Sequence, residues 1–399
     1  MLRSRLQLLL LLALPAYQSS GQVPAPVAEE SQDEAHTSTV LTAGDLAIWS
    51  GVDTLDANNA EAIATLRRFF ELKLTSPEIS SFWVSTDPAP GSLAFTDLAY
   101  VEYDEQAALK YYPSLMRITP VEKGDRILTV KWAATDSTGT AADVRYVFDF
   151  LAHRTDSGMR LDRPLDHNTH NWQREDVGEL HYIISPLHRF NKEQAQEQAR
   201  SVQRLSRFFD IDPFPIIFYS CRDPADLFRA RGFQLHPLMY AHETGGLADY
   251  GDRVFSGNDR DSYTHEVVHL FTTHKFGVER PGLLDEGLAT LLAGSSGKPY
   301  AWHRENLRRF LKENPDLDPL VYSNTHEQYF IDNDTNVPYA IGAVICEHVL
   351  RKAGKDGLFN VMASGTDPWP ALAGYGVVKS ELGKLVRAEL ELPMLELSE

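Results

Sequence analysis

Apolar positions along the chain change spacing near its middle. From 43 to 165 a single helix is expected at 59–74, where Ile63, Leu66, Phe69, Phe70 and Leu74 recur at helical intervals. Strand-like runs follow at 81–85, 98–103, 115–120, 126–133 and 143–152, the last two joined by a polar turn at 135–140. Beyond 178 the order is a strand at 180–185 and a helix opening at Asn191 with a stripe of Ala195, Ala199, Val202, Leu205, Phe208 and Phe209. A buried strand at 215–219 and a short helix starting at Asp223-Pro224 come next. Residues 236–256 read as short strands with glycine turns. After Asp261 the pattern is mainly helical, including 283–292, 305–313, 338–352 and 379–391. This succession predicts an α+β protein: an accessory α+β domain over 43–165, then a domain over 178–399 with a small mixed sheet and a helical carboxy-terminal half.

The polar stretches punctuate this order. Residues 22–42 are rich in Pro, Ala, Glu, Ser and Thr without periodicity and read as a disordered linker. Residues 166–177, with His167 and His170, read as a second linker, since the two histidines lack a helical setting. At the start, Arg3 and Arg5 precede an apolar run from Leu6 to Ala13, followed by Ser19-Ser20-Gly21, so residues 1–21 are expected to be a cleaved export signal. The mature protein is then expected to be exported to the periplasm or the medium, soluble, with no stable membrane insertion. A helix followed by a curved antiparallel sheet makes the 43–165 region similar to the NTF2-like cone fold.

Composition narrows the partners. Acidic residues outnumber basic ones 56 to 38, giving a formal charge of −18 that disfavours nucleic acid and anionic membranes. Only Cys221 and Cys346 are present, in no metal-binding spacing; they can form one disulfide or remain two buried thiols.

The candidate chemistry is concentrated in His265-Glu266-Val267-Val268-His269. Residues four apart on a helix are separated by about 400° of rotation, so His265 and His269 share a face and can grip one metal ion. Glu266, about 100° from His265, is placed to take a proton from a metal-activated water. A tetrahedral catalytic zinc needs a third protein ligand, and Glu286 in Asp285-Glu286-Gly287 is the candidate.

These motifs make the chain resemble the gluzincin zinc metallopeptidases, with a distant similarity to the catalytic domain of their aminopeptidase branch over about 178–395. The resemblance implies one Zn²⁺ per chain on His265, His269 and Glu286. It also implies hydrolysis of a peptide or protein substrate with Glu266 as general base. Pro338-Tyr339-Ala340-Ile341-Gly342 matches the family's Pro-Tyr-x-x-Gly, so Tyr339 would stabilise the oxyanion. The class with a third histidine fits poorly: Thr272 and Lys275 stand at its glycine and histidine positions, and His274 is out of register, which makes it a surface or supporting residue. Gly245-Gly246-Leu247-Ala248-Asp249 is similar to the branch's substrate-pairing strand, so Gly245, Gly246 and Leu247 are candidate substrate contacts. Ala248 stands where the family's amine-anchoring glutamate would be, with Glu243 nearby. That departure leaves two alternatives beside a peptidase: an aminopeptidase with a non-standard anchor, or a weakly active binding protein for peptides or glycans.

Overall fold

The computed structural model describes residues 45–73, 82–84, 96–104, 108–135, 142–249, 251–323 and 329–396. The expected signal peptide and first linker lie outside the described residues. In chain order the elements are β1 (Ala47–Ile48), α1 (Ala57–Leu72), β2 (Tyr112–Pro120), β3 (Arg126–Thr135), β4 (Ala142–Thr155), β5 (Gly158–Asp162), α2 (Leu165–Thr169), β6 (Gln173–Val177), β7 (Leu180–Ile184), α3 (Lys192–Phe209), β8 (Ile216–Cys221) and α4 (Pro224–Ala230). They continue with β9 (Phe233–Leu235), β10 (Gly245–Asp249), β11 (Arg253–Gly257), α5 (Thr264–Phe276), α6 (Gly282–Ala293), α7 (Tyr300–Glu313), α8 (Val337–Met362), α9 (Trp369–Ala373) and α10 (Leu382–Glu391). The protein is α+β, with two mixed sheets and a helical carboxy-terminal half.

The chain divides into two compact units. The first holds the described residues up to Asn168 together with Phe228–His236. Its sheet runs β1-β2-β3-β4-β5, with β9 also pairing with β4. Helix α1 is capped by Asp56, which accepts from the Asn59 amide at 2.9 Å, and buries Ile63, Leu66, Phe69 and Phe70. Phe69 and Phe70 meet Trp83, Trp132 and Phe150 in edge-on ring pairs, an arrangement aromatic quadrupoles favour.

Three expectations change here. Residues 98–103 are a 3-10 turn (Thr96–Leu98) and further turns, not a strand. The buried Lys73 ammonium donates to the Leu98 carbonyl at 2.6 Å and pairs with Glu102 at 2.7 Å, and this wraps the segment around the charge. Of 81–85, only 82–84 are described, and Trp83 makes a single bridge to Leu161. The turn at 136–140 lies outside the described residues. Residues 166–177 are not a linker: they hold α2 and the edge strand β6, which pairs antiparallel with β7.

The second unit comprises Thr169–Leu227 and the chain from Pro237 onward. Its five-stranded sheet has the order β10-β11-β8-β7-β6, which makes β10 an edge. Helix α3 is capped by Asn191, which accepts from the Gln194 amide at 3.1 Å, and buries Ala195, Val202, Leu205 and Phe209. Cys221 and Cys346 are separate buried thiols. Among the described residues no helix is long and apolar enough to cross a membrane.

Helices α6 and α8 cross at two glycines. A Cβ on Gly287 would stand 2.2 Å from the Gly342 carbonyl carbon, and one on Gly342 would stand 2.2 Å from the Leu283 carbonyl oxygen. Only bare backbone lets the helices approach this closely. Gly287→Ala is expected to lower unfolding stability by about 3 kcal/mol, although alanine gains roughly 1 kcal/mol in helix propensity. Gly51→Ala, with nothing within 4 Å of its Cβ, should change stability by less than about 0.5 kcal/mol. Equilibrium denaturant unfolding of both variants measures the difference.

Candidate metal centre

Helix α5 carries the His-Glu-x-x-His pattern against the core. Val267, Val268 and Phe271 are fully buried, which turns His265, Glu266 and His269 toward α6 and β10. His265, Glu266 and His269 form a cluster in which one ligand atom from each lies within 4.8 Å of the others. Glu286 on α6 completes it: its Oε2 stands 3.2 Å from His265 Nε2 and 3.5 Å from His269 Nε2.

The outer ring nitrogens fix the tautomers. His265 Nδ1 lies 2.7 Å from the carbonyl of Gly294, the residue that ends α6 with a φ of 77°. His269 Nδ1 lies 3.0 Å from Asp285 Oδ2. With Nδ1 of both rings committed outward, both Nε2 atoms face Glu286. Two imidazole nitrogens and one carboxylate oxygen then converge, a grouping that a proton or a bound metal ion would satisfy. Zinc bonds of 2.0–2.1 Å in a tetrahedron separate ligand atoms by about 3.4 Å. The observed 3.2 and 3.5 Å bracket that spacing. Imidazole, imidazole and carboxylate therefore fit a zinc ion by both donor type and separation.

Asp285 is the residue the sequence reading passed over. It accepts from Thr272 Oγ1 at 2.6 Å and pairs with Arg280 at 2.8 Å while orienting His269. Burial pushes its carboxyl up, but the Arg280 and His269 charges outweigh this and hold it far below the usual carboxylate range. The signal was present: an acid next to a ligand glutamate, on the face turned to the second histidine. Burial likewise opposes ionisation of Glu286, yet the His269 charge and hydrogen bonds from both imidazoles hold it at about 2. Burial lowers His269, but the charges of Asp285 and Glu286 outweigh it and keep this imidazole well above its ordinary 6.5.

Glu266 is buried, and its Oε2 accepts from the Ala248 amide on β10 at 2.8 Å. Burial raises its carboxyl, the two imidazoles pull it back, and Glu286 raises it again; the net direction is upward. Tyr339, in the first turn of α8, stacks at 14° over the His265 ring with centroids 6.1 Å apart. Burial and then the carboxylates of Glu286 and Glu266 keep its phenol protonated far above the usual range.

The structure thus brings together His265, His269, Glu286, Glu266 and Tyr339. Gly245, Gly246 and Leu247 lie on the edge strand beside them, with Leu247 buried. Glu243 sits in the exposed bend ahead of β10. His274 stands apart, stacked on Phe214 and 2.6 Å from Asp252. No known protein-family model matches this chain, and no curated protein matches it either.

The proton on His269 competes with any metal. Against the effect of burial, its pKa is raised by Asp285 and Glu286, so zinc uptake should release a proton and zinc affinity should rise as pH increases. Calorimetry in buffers of different ionisation enthalpy measures that proton. Asp285→Asn should weaken zinc binding by about 10- to 100-fold.

Proposed function

We propose that the protein is a zinc-dependent peptidase of gluzincin type. The observation that supports this best is the convergence of His265 Nε2, His269 Nε2 and Glu286 Oε2, with the Glu266 carboxylate beside them. His265, His269 and Glu286 would hold a zinc ion, which would supply Lewis acidity toward the scissile carbonyl and the attacking water. Glu266, its carboxyl raised by burial, accepts the proton of the attacking water and later delivers it to the leaving amine. Tyr339, held as a neutral phenol, donates to the oxyanion of the tetrahedral intermediate. The edge strand β10 aligns an extended peptide by backbone pairing beside Gly245, Gly246 and Leu247. The basic and apolar first residues support export of the chain.

Amine recognition is not part of this reading. Ala248 has no carboxylate, and Glu243 is exposed ahead of the strand. Peptides with free and with acetylated amino termini should therefore be cleaved at equal rates.

Glu266→Gln should keep one zinc per chain and lose hydrolysis by about 10²- to 10⁴-fold. Tyr339→Phe should lower kcat by about 10²- to 10³-fold. Elemental analysis with single-turnover assays on a peptide library reads both. Full activity in zinc-loaded Glu266→Gln would overturn the mechanism. Absence of zinc from the folded wild type, with failure to take up added zinc, would overturn the metal site.

A further inference from the structure

The carbonyl that orients His265 belongs to a turn, and that turn has a tie of its own. Gly294 ends α6, and the chain after it closes on itself: the Ser295 amide donates to the Lys298 carbonyl at 3.0 Å, and the Lys298 amide donates to the Ser295 carbonyl at 2.8 Å. Gly294, Ser296 and Gly297 all have left-handed backbones, with φ of 77°, 48° and 72°. A Cβ on Gly294 would stand 2.0 Å from the Lys298 carbonyl oxygen. A serine rarely holds such a φ unaided, so the turn relies on its surroundings.

His303, buried on α7, supplies that support. Its Nε2 lies 2.9 Å from the Ser295 carbonyl. A carbonyl only accepts, so Nε2 carries the proton. Burial outweighs the pull of that carbonyl and keeps the imidazole below its ordinary 6.5, which leaves a neutral ring with Nδ1 as an acceptor. Nδ1 lies 3.2 Å from the Thr335 hydroxyl. That hydroxyl oxygen also receives from Asn306 Nδ2 at 3.2 Å and stands 3.2 Å from Asp332 Oδ2. Thr335 is wholly buried, and its carbonyl accepts from the Ile331 amide at 3.2 Å. It closes the turn that leads into α8, whose first turn carries Tyr339.

We propose that His303 is a positioning residue: through Nε2 it holds the turn whose Gly294 carbonyl orients His265, and through Nδ1 it ties that turn to the segment that delivers Tyr339. The consequence for catalysis rests on the peptidase reading; the tie itself does not. The two ring nitrogens point in fixed directions, so the ring sets the spacing of the two turns. Moving either turn breaks a buried hydrogen bond and strands a polar atom away from water.

His303→Leu keeps the bulk and loses both bonds. His303→Gln keeps an amide donor close to the position of Nε2 and loses the Nδ1 acceptor. In the full-length protein with no zinc added, amide hydrogen exchange at Lys298 and at Ile331 should accelerate about tenfold in His303→Leu. Exchange at Leu311, in the last turn of α7, should stay within about twofold of wild type. His303→Gln should restore Lys298 and leave Ile331 fast. Zinc affinity, read by competition with a chelator, should fall about tenfold in His303→Leu and recover in His303→Gln. With zinc loaded, kcat should fall about tenfold in both variants, with KM within about twofold. Unchanged exchange at Lys298 in His303→Leu would overturn the proposal. So would equal acceleration through α7, because the helix and not the tie would then have been lost. If the wild type cleaves no peptide, the peptidase reading fails, and the exchange measurement still decides the tie.

Discussion

The site depends on how closely two helices can pack. Glu286 and Tyr339 come from α6 and α8, and each sits within one turn of the glycine at which those helices touch: Glu286 beside Gly287, Tyr339 three residues before Gly342. Side chains at those positions would force the axes apart. The carboxylate and the phenol would then retreat from the imidazoles on α5 together. A metal bound there would tolerate displacements of only a few tenths of an ångström in its ligands. The glycine pair therefore sets how closely these side chains can gather.

Electrostatics then selects what can occupy the gap. Burial makes every charge in the cluster costly, and the buried carboxylates there have partners. Asp285 is paired with Arg280, Thr272 and His269, and Glu266 with the Ala248 amide. The atoms left over are two imidazole nitrogens and one carboxylate oxygen. The fold compensates much of the outer ring of polar groups internally, so an ion taken up by the inner ring would meet side chains that are already oriented.

Much of this was legible in the sequence where chemistry and periodicity coincide. The imidazoles four apart, the glutamate on the following helix and the helix opening at Pro338 each obey a local rule, and α5, α6 and α8 fall where that rule puts them. The break after Lys352 also has a local cause, a left-handed φ of 65° at Gly354. What escaped was non-local. Residues 98–103 look extended by composition, yet a buried Lys73–Glu102 pair bends them into turns. The polar stretch 173–177 reads as a linker because an edge strand with both faces partly wet carries no alternation. The close approach of the Tyr263 ring to the bare backbone at Gly246 is a pairing in space that no spacing rule expresses.

The three-residue strand β9 has its own implication. It pairs with β4 at Val147 and Phe148, and it places the fully buried Phe233 in the first unit, although the chain has by then already built α3 and β8 of the second. During synthesis the first unit cannot close its sheet until residue 236 has left the ribosome, so neither unit is a contiguous block of sequence. A cut near 170 would not release two self-sufficient modules: one piece would lack a strand, and the other would carry Phe233 with no sheet to receive it. The two units are covalently interleaved, and they would be inherited, shuffled or truncated only as one piece.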